Sequence, residues 1–288
     1  MTDDWFTGRA GLADTVAVIT GGAGTLGGAI VRDLAAVGVR TAVLDRDTDA
    51  AHALRDALED TGHDTLVHIG DAREPADLER LFMAAEERWG RLDILVNVVG
   101  GTFRAPFTAT RPKGWDALIR ANLSHVLHAC HLAVPRIQAG GRGGSIVNLT
   151  TIEAHRAAPG FAVYAAAKAA VEQFARTLAV ELAPDGIRVN NVAPDYVPTP
   201  SLRQLASHED APLATPEALA AAIPTGRAGR PQDVSGCVVF LASALSSYVT
   251  GTTLHPDGGT HASAGWFNWP GTGWANQVPP DVLKGHRP

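Results

Sequence analysis

Lysine is scarce in this chain: three positions, Lys113, Lys168 and Lys284, stand against 21 arginines. GC-rich codon usage explains the general bias, so a lysine that persists marks a place where a compact, mobile ammonium is useful. Cysteine is scarcer still, with Cys130 and Cys237 alone. Both fall in apolar helical segments, which argues against a disulfide scaffold and for a reduced, cytoplasmic setting. No apolar run reaches the ~18 residues of a membrane span. The stretch from Met1 to Asp14 carries three aspartates and lacks the apolar core of a secretory leader. A basic excess is also missing: 24 Lys and Arg against 30 Asp and Glu give a net charge of −6. The electrostatic footprint of a nucleic-acid binder is therefore absent. The expectation is a soluble cytoplasmic protein that acts on a small molecule, with no nucleic-acid or membrane partner.

What is present is an ordinary globular composition in regular alternation. A chain of 288 residues, 45% hydrophobic and 19% charged, can bury one large core. Short β-branched runs at 15–20, 40–45, 64–69, 92–99, 144–149 and 187–192 read as strands, with a last one at 252–255. Their continuous apolar character suits a sheet covered on both faces. Amphipathic stretches at 26–37, 48–61, 75–89, 113–138, 161–183 and 231–243 read as helices. Pro75 and Pro231 suit first helical turns, and Gly38, Gly62 and Gly90 suit helix ends. The pattern predicts an α/β fold: a Rossmann-type, doubly wound parallel seven-stranded sheet flanked by helices, with ligands at the carboxyl ends of the strands. Residues 1–259 would form this single domain. Within it, 195–224 is proline-rich and reads as a substrate loop. The tail at 260–288 holds Trp266, Trp269 and Trp274, too aromatic for a disordered segment, and reads as packed on a subunit surface.

The run Thr20-Gly21-Gly22-Ala23-Gly24-Thr25-Leu26-Gly27 follows the first strand and opens a helix. Glycines there admit a pyrophosphate to the backbone, and the helix N-terminus supplies free N–H groups. Gly22, Gly24 and Gly27 fit G-x-G-x-x-G; a tight turn alone is the plainer reading. Asp45 ends the second strand, 18 residues beyond Gly27. A carboxylate there accepts bonds from ribose hydroxyls and repels a 2′-phosphate, which favours NAD over NADP, although Arg46 beside it can aid a phosphate.

Tyr164 and Lys168 are four apart at the start of a helical segment, so they share a face. An incidental pair of this spacing arises in roughly 3 of 100 such compositions. A phenol of pKa ~10 is a poor base at neutral pH, and a nearby ammonium favours its phenolate. Tyr164 can then take the proton of an alcohol while hydride leaves the carbinol carbon. Lys168 can also hold the nicotinamide ribose.

With Gly144-Ser145-Ile146-Val147-Asn148-Leu149-Thr150-Thr151, then Tyr164-Ala165-Ala166-Ala167-Lys168, the chain resembles the short-chain dehydrogenase/reductase family over about residues 12–260. Asn97, Gly100, Arg188-Val189-Asn190, Pro194, Thr199 and Pro256-Asp257-Gly258-Gly259 extend the match. The family pattern T-G-x-x-x-G-x-G fits Thr20, Gly21 and Gly27, with Thr25 at the middle glycine. The resemblance implies a cofactor cradle of Gly21, Gly24, Thr25, Leu26 and Gly27. It adds Asp71 and Ala72 at the adenine, with Asn97, Val98 and Gly100 along the cleft. Pro194, Asp195, Val197 and Thr199 fall at the nicotinamide. For Asp71 a helix cap ahead of Pro75 is the plain alternative.

The resemblance further implies that Thr151 takes the role of the family serine, 13 residues before the tyrosine. Thr150 is the fallback. Asn122 matches the asparagine of a proton relay to Lys168, or is a buried polar residue that bends its helix. Asp195 stands where the family has glycine. Thr102, Phe103, Ile152, Glu153, Phe161, Asp195 and Tyr196 are candidates for the substrate pocket. His125, His128 and His131 share a helix without a completing carboxylate, so a packed surface is preferred and no metal is expected.

The implied function is NAD-dependent interconversion of a secondary alcohol and a ketone, on an alicyclic, dihydrodiol, terpenoid or steroid-like substrate. The alternatives are a 3-oxoacyl-thioester reductase and, of another class, a catalytically weakened NAD-binding sensor or scaffold. The resemblance also implies a homotetramer.

Overall fold

The computed structural model describes residues 3–200, Leu202 and 215–280. Its centre is a sheet of seven parallel strands in the order β3-β2-β1-β4-β5-β6-β7. These are β1 (Val16–Thr20), β2 (Arg40–Asp45), β3 (Thr65–Ile69), β4 (Ile94–Asn97), β5 (Gly144–Leu149), β6 (Ile187–Val192) and β7 (Thr253–Leu254). Side chains alternate between two cores, as the pleat requires. Ala17 and Ile19 of β1 join one, and Val16 and Val18 the other. On the first face lie α2 (Thr25–Ala36), α3 (Thr48–Glu59) and α9 (Pro231–Ala242), with Ile30, Leu34 and Val238 fully buried. On the second lie α4 (Pro75–Trp89), α6 (His125–Gly140) and α7 (Ala162–Leu182), with Leu78, Phe82 and Val171 fully buried. The strand order reverses between β1 and β4, which opens a crevice at their carboxyl ends.

An amide ladder stiffens the sheet beside that crevice. Asn97 donates to Asn148 at 2.9 Å, Asn148 to Asn191 at 3.2 Å, and Asn191 to the Thr253 hydroxyl at 3.3 Å. These residues are register partners on β4, β5, β6 and β7, so one polar row crosses four strands with its inner amides paired.

The segment expected as one helix over 113–138 is interrupted. α5 (Pro112–Ile119) passes through a π-turn (Arg120–Ser124) before α6 begins. Asn122 causes this locally: its amide nitrogen donates to the Leu118 carbonyl at 2.9 Å, which competes with the regular ladder. Within the π-turn Asn122 faces Gly101, while Arg120 at its start points to solvent.

Two peripheral elements lie outside the sequence reading. Helix α1 (Asp3–Ala10) precedes the sheet, and Arg9 stacks over Trp5. Beyond α10 (Thr260–Ser263) the tail forms a hairpin of β8 (Phe267–Trp269) and β9 (Gly273–Ala275). The hairpin rests on α8 (Pro216–Ala222) of the same chain. The remainder of the expected substrate loop, 201 and 203–214, and the last residues of the tail, 281–288, lie outside the described residues. No described helix is long and apolar enough to cross a membrane.

Candidate active site

The glycine run makes the turn that joins β1 to α2. Gly21 adopts a φ of +70°, which only glycine takes without strain, and Gly24 caps α2. A Cβ on Gly27 would lie 2.0 Å from the Gly21 carbonyl oxygen, so the turn closes only without a side chain there. The free amides at the start of α2 face a cleft of about 360 Å³. Gly21, Gly24, Thr25, Leu26 and Gly27 line it at one end, and Asp45, Arg46, Asp71 and Ala72 at the other. Val98, Gly100 and Thr199 lie between. The Asp45 carboxylate accepts from Ala23 N at 2.9 Å and from Asp47 N at 3.1 Å, so the acidic end is tied to the glycine turn.

Asp71 is not a helix cap; Glu74 occupies that position. The Asp71 carboxylate pairs with the Arg73 guanidinium, which holds it well below the usual carboxylate range, at about 2. Arg73 therefore also lines the cleft, a residue that the sequence reading passed over. Asn97 does not line it. Its side chain is buried in the amide ladder, and Val98 to Gly101 supply the wall instead.

Leu26, Val98, Gly100, Gly101 and Thr199 are shared with a second chamber of about 460 Å³, so the two spaces are continuous. Tyr164, Lys168, Thr151, Glu153, Phe161, Pro194, Asp195, Tyr196, Val197 and Thr102 line this chamber. The Tyr164 phenol and the Thr151 hydroxyl line the chamber together, and Thr151 acts on the phenol by lowering its pKa. Thr151 Oγ1 accepts from Glu153 N at 3.3 Å, which fixes the side chain at the start of a 3₁₀ turn, Ile152–Ala154. Thr150 is spent elsewhere: its hydroxyl donates to buried Glu172 at 2.8 Å, so Thr151 is the better-placed of the pair.

Lys168 is buried and donates to the Leu149 carbonyl at 2.8 Å. Asn122 is fully buried; it donates to Gly101 O at 2.8 Å and accepts from Gly101 N at 3.2 Å. A Cβ on Gly100 would lie 3.2 Å from both Asn122 Oδ1 and Lys168 Nζ. The missing side chain is thus what lets the cleft wall, the π-turn and the lysine meet.

Two pocket expectations are corrected. Ile152 is fully buried in the core, and Phe103 faces a separate small hollow with Phe107, Leu118 and Phe161. The chamber instead carries two carboxylates, Glu153 and Asp195. The electrostatic expectation for Tyr164 changes as well. Desolvation pushes the phenol up to about 12, with the neighbouring Thr151 hydroxyl opposing and the Glu153 charge adding to the rise. Burial also brings Lys168 down to about 8. Desolvation outweighs the charge effect expected from the spacing alone.

Among the three helix histidines, His125 is buried and held near 3 by desolvation and by Lys168, while His128 and His131 are exposed. Among the described residues, no group of three or more His, Cys, Asp or Glu is placed to hold a metal ion.

These features fit a nicotinamide dinucleotide: a side-chain-free cradle at a helix N-terminus, an acid at the ribose end, and a second chamber opening beside the phenol. A family model described as enoyl-(acyl carrier protein) reductase matches residues 21–261. The chain is 33% identical over 246 residues to the 3-oxoacyl-[acyl-carrier-protein] reductase FabG of Escherichia coli, covering 85% of this chain and 97% of that one. It is 36% identical over 246 residues to 3beta-hydroxysteroid dehydrogenase 1 of Eggerthella lenta, covering 84% and 92%. Among solved structures, a gluconate 5-dehydrogenase from Burkholderia cenocepacia, in complex with NADP and tartrate, superposes with a TM-score of 0.81 at 33% identity, covering 89% and 99%. A Tyr-x-x-x-Lys pair with its lysine buried beside a glycine-turn cleft, on a sheet of this order and with relatives of this likeness, makes the chain a member of the short-chain dehydrogenase/reductase family.

Proposed function

We propose that the chain is an NAD-dependent dehydrogenase that interconverts a secondary alcohol and a ketone on an alicyclic, dihydrodiol, terpenoid or steroid-like substrate. The observation that carries this reading is the placing of Tyr164, Thr151 and Lys168 in one chamber that is continuous with the glycine-turn cleft. Bound NAD would supply the hydride acceptor at its nicotinamide. Tyr164 moves the proton of the substrate hydroxyl, and the Thr151 hydroxyl steadies the substrate oxygen. Lys168 and Asn122 hold the wall at Gly100 and offer the proton a way inward. Pro194, Val197 and Thr199 orient the nicotinamide end. Asp45 supports NAD, because its fixed carboxylate repels a 2′-phosphate.

The test is cofactor reduction followed by absorbance, with cyclic secondary alcohols and each nucleotide in turn. The expected result is turnover with NAD at a kcat/KM above that with NADP; a preference for NADP would overturn the cofactor assignment. A second reading, reduction of a 3-oxoacyl thioester, draws on the likeness to the E. coli reductase and on the proton-loaded Tyr164. It predicts faster turnover of acetoacetyl-CoA with NADPH than of any cyclic alcohol. Binding of NADH without turnover of alcohol, ketone or thioester would favour the sensor alternative. The family assembly implied by the sequence, a cytoplasmic homotetramer, belongs to the same proposal.

A further inference from the structure

Asp195, one of the residues that depart from the family pattern, is built into the chamber rather than tolerated there. Its Oδ1 accepts from Arg156 Nη2 at 2.9 Å, and its Oδ2 accepts from the Thr260 hydroxyl at 2.7 Å. The same Arg156 nitrogen donates to Glu153 Oε1 at 2.9 Å, and its Nε donates to Glu153 Oε2 at 3.4 Å. One guanidinium is therefore shared between two carboxylates from different loops. The two acids line the chamber with Tyr164 and Thr151, whereas Arg156 does not. Their side chains are 14% and 23% exposed, against 41% for the arginine. The face turned toward a substrate is thus carboxylate oxygen, with the cation set behind it.

Each oxygen has one partner and retains a lone pair, so the pair can accept further hydrogen bonds. Three substrate chemistries compete for that capacity. An anion meets two uncancelled acceptors and is repelled. An ammonium gains from the residual single negative charge but faces the guanidinium that already binds both acids. A neutral hydroxyl needs only a lone pair and is favoured.

We propose that Glu153 and Asp195 form a hydroxyl-reading subsite, and that the substrate is a vicinal diol. One hydroxyl sits on Tyr164 and Thr151 while its neighbour donates to the carboxylate pair. This rests on the dehydrogenase reading and narrows its substrate class. The reacting carbinol loses its C–H electron pair as hydride to the nicotinamide and its O–H proton to the Tyr164 side. A C=O bond forms, and the product is an α-hydroxyketone whose second hydroxyl is unchanged. Arg156 and Thr260 act as positioning residues that aim the two acids.

The test compares cyclohexane-1,2-diol with cyclohexanol in the wild type, in Glu153→Gln and in Asp195→Asn. NADH fluorescence titration reports whether each variant keeps its cofactor site. A hydrogen bond to a charged acceptor predicts that kcat/KM for the diol exceeds that for cyclohexanol by roughly 10- to 100-fold in the wild type. The ratio should fall at least several-fold in each variant that still binds NADH. A wild-type ratio near one, a ratio unmoved by either substitution, or a preference for 2-aminocyclohexanol over the diol overturns the subsite. Turnover of cyclohexanol in those cases leaves the dehydrogenase reading standing. No turnover of either alcohol with either nucleotide sinks both.

Discussion

Desolvation raises the Tyr164 phenol from its ordinary 10 to about 12, so it stays protonated beyond neutral pH and well into the alkaline range. Such a phenol is a weak acid but stands almost wholly in its protonated, donor form, and its base form grows only as the pH rises. Ketone reduction should therefore run well near pH 7, while alcohol oxidation should climb between pH 7 and 9; initial rates in both directions check this. An oxidation rate that falls over that window would contradict the assignment of Tyr164 as base. Tyr164→Phe should lower kcat by roughly 100- to 10,000-fold while NADH still binds. Thr151→Ala should cost on the order of 100-fold in kcat, and Thr151→Ser should recover most of it, since the hydroxyl is the working group.

Lys168 carries a stability signature as well as a chemical one. Its folded pKa, about 8, lies below its ordinary 10.5, so the unfolded chain binds more protons between those values. Stability from this residue must then rise as the pH rises from 8 to 10.5. Melting temperatures should place Lys168→Met above the wild type at pH 8, with the gap closing toward pH 10.5. The sequence made both residues legible through their spacing, yet the dominance of desolvation was not. Burial depends on which helices cover α7, and no local pattern states that.

Among the elements, the π-turn at Arg120–Ser124 is the feature on which the proposed relay through Asn122 depends. It turns Asn122 into the Gly100–Gly101 wall, and Gly100 leaves room for Asn122 and Lys168 to approach the same point. Gly100→Ala should lower kcat/KM on the order of 10- to 100-fold, because a small displacement of this wall misplaces the reacting groups. An unchanged kcat/KM would show that the wall tolerates a methyl. The sequence gives the bounds of β2, α4, β5 and β6 residue for residue, since β-branched runs and a proline start mark them plainly. It reads 113–138 as one helix because the apolar periodicity continues across the insertion of a single extra residue per turn. The resemblance makes Ile152 and Phe103 pocket candidates, but the structure places Ile152 in the core and Phe103 at the small hollow. Their actual placement follows from a 3₁₀ turn and from the Phe107–Trp115 stack beside the small hollow.

For the molecule as a whole, the tail links α8 to the chamber that holds Asp195. Thr260 is bonded to Asp195, and the hairpin that follows rests on α8 with Trp266 and Trp274 half exposed. The aromatic content of the tail was readable; its hairpin was not, because three-residue strands leave little periodicity. We propose that the exposed tryptophans complete a subunit contact near the chamber. Deleting residues 265–288 should raise KM for the alcohol and shift the assembly observed by sedimentation. Neither change would indicate that the hairpin serves its own chain alone.

Hydride transfer from a carbinol carbon, governed by Tyr164, is the step on which the proposed function turns. It is tested most directly by incubating the protein with NAD and a secondary alcohol deuterated at that carbon, then weighing the reduced cofactor by mass spectrometry. The account predicts one deuterium in the nicotinamide product with the wild type and almost none with Tyr164→Phe at equal cofactor occupancy. Undiminished transfer in Tyr164→Phe, or reduced cofactor lacking the label, would contradict it.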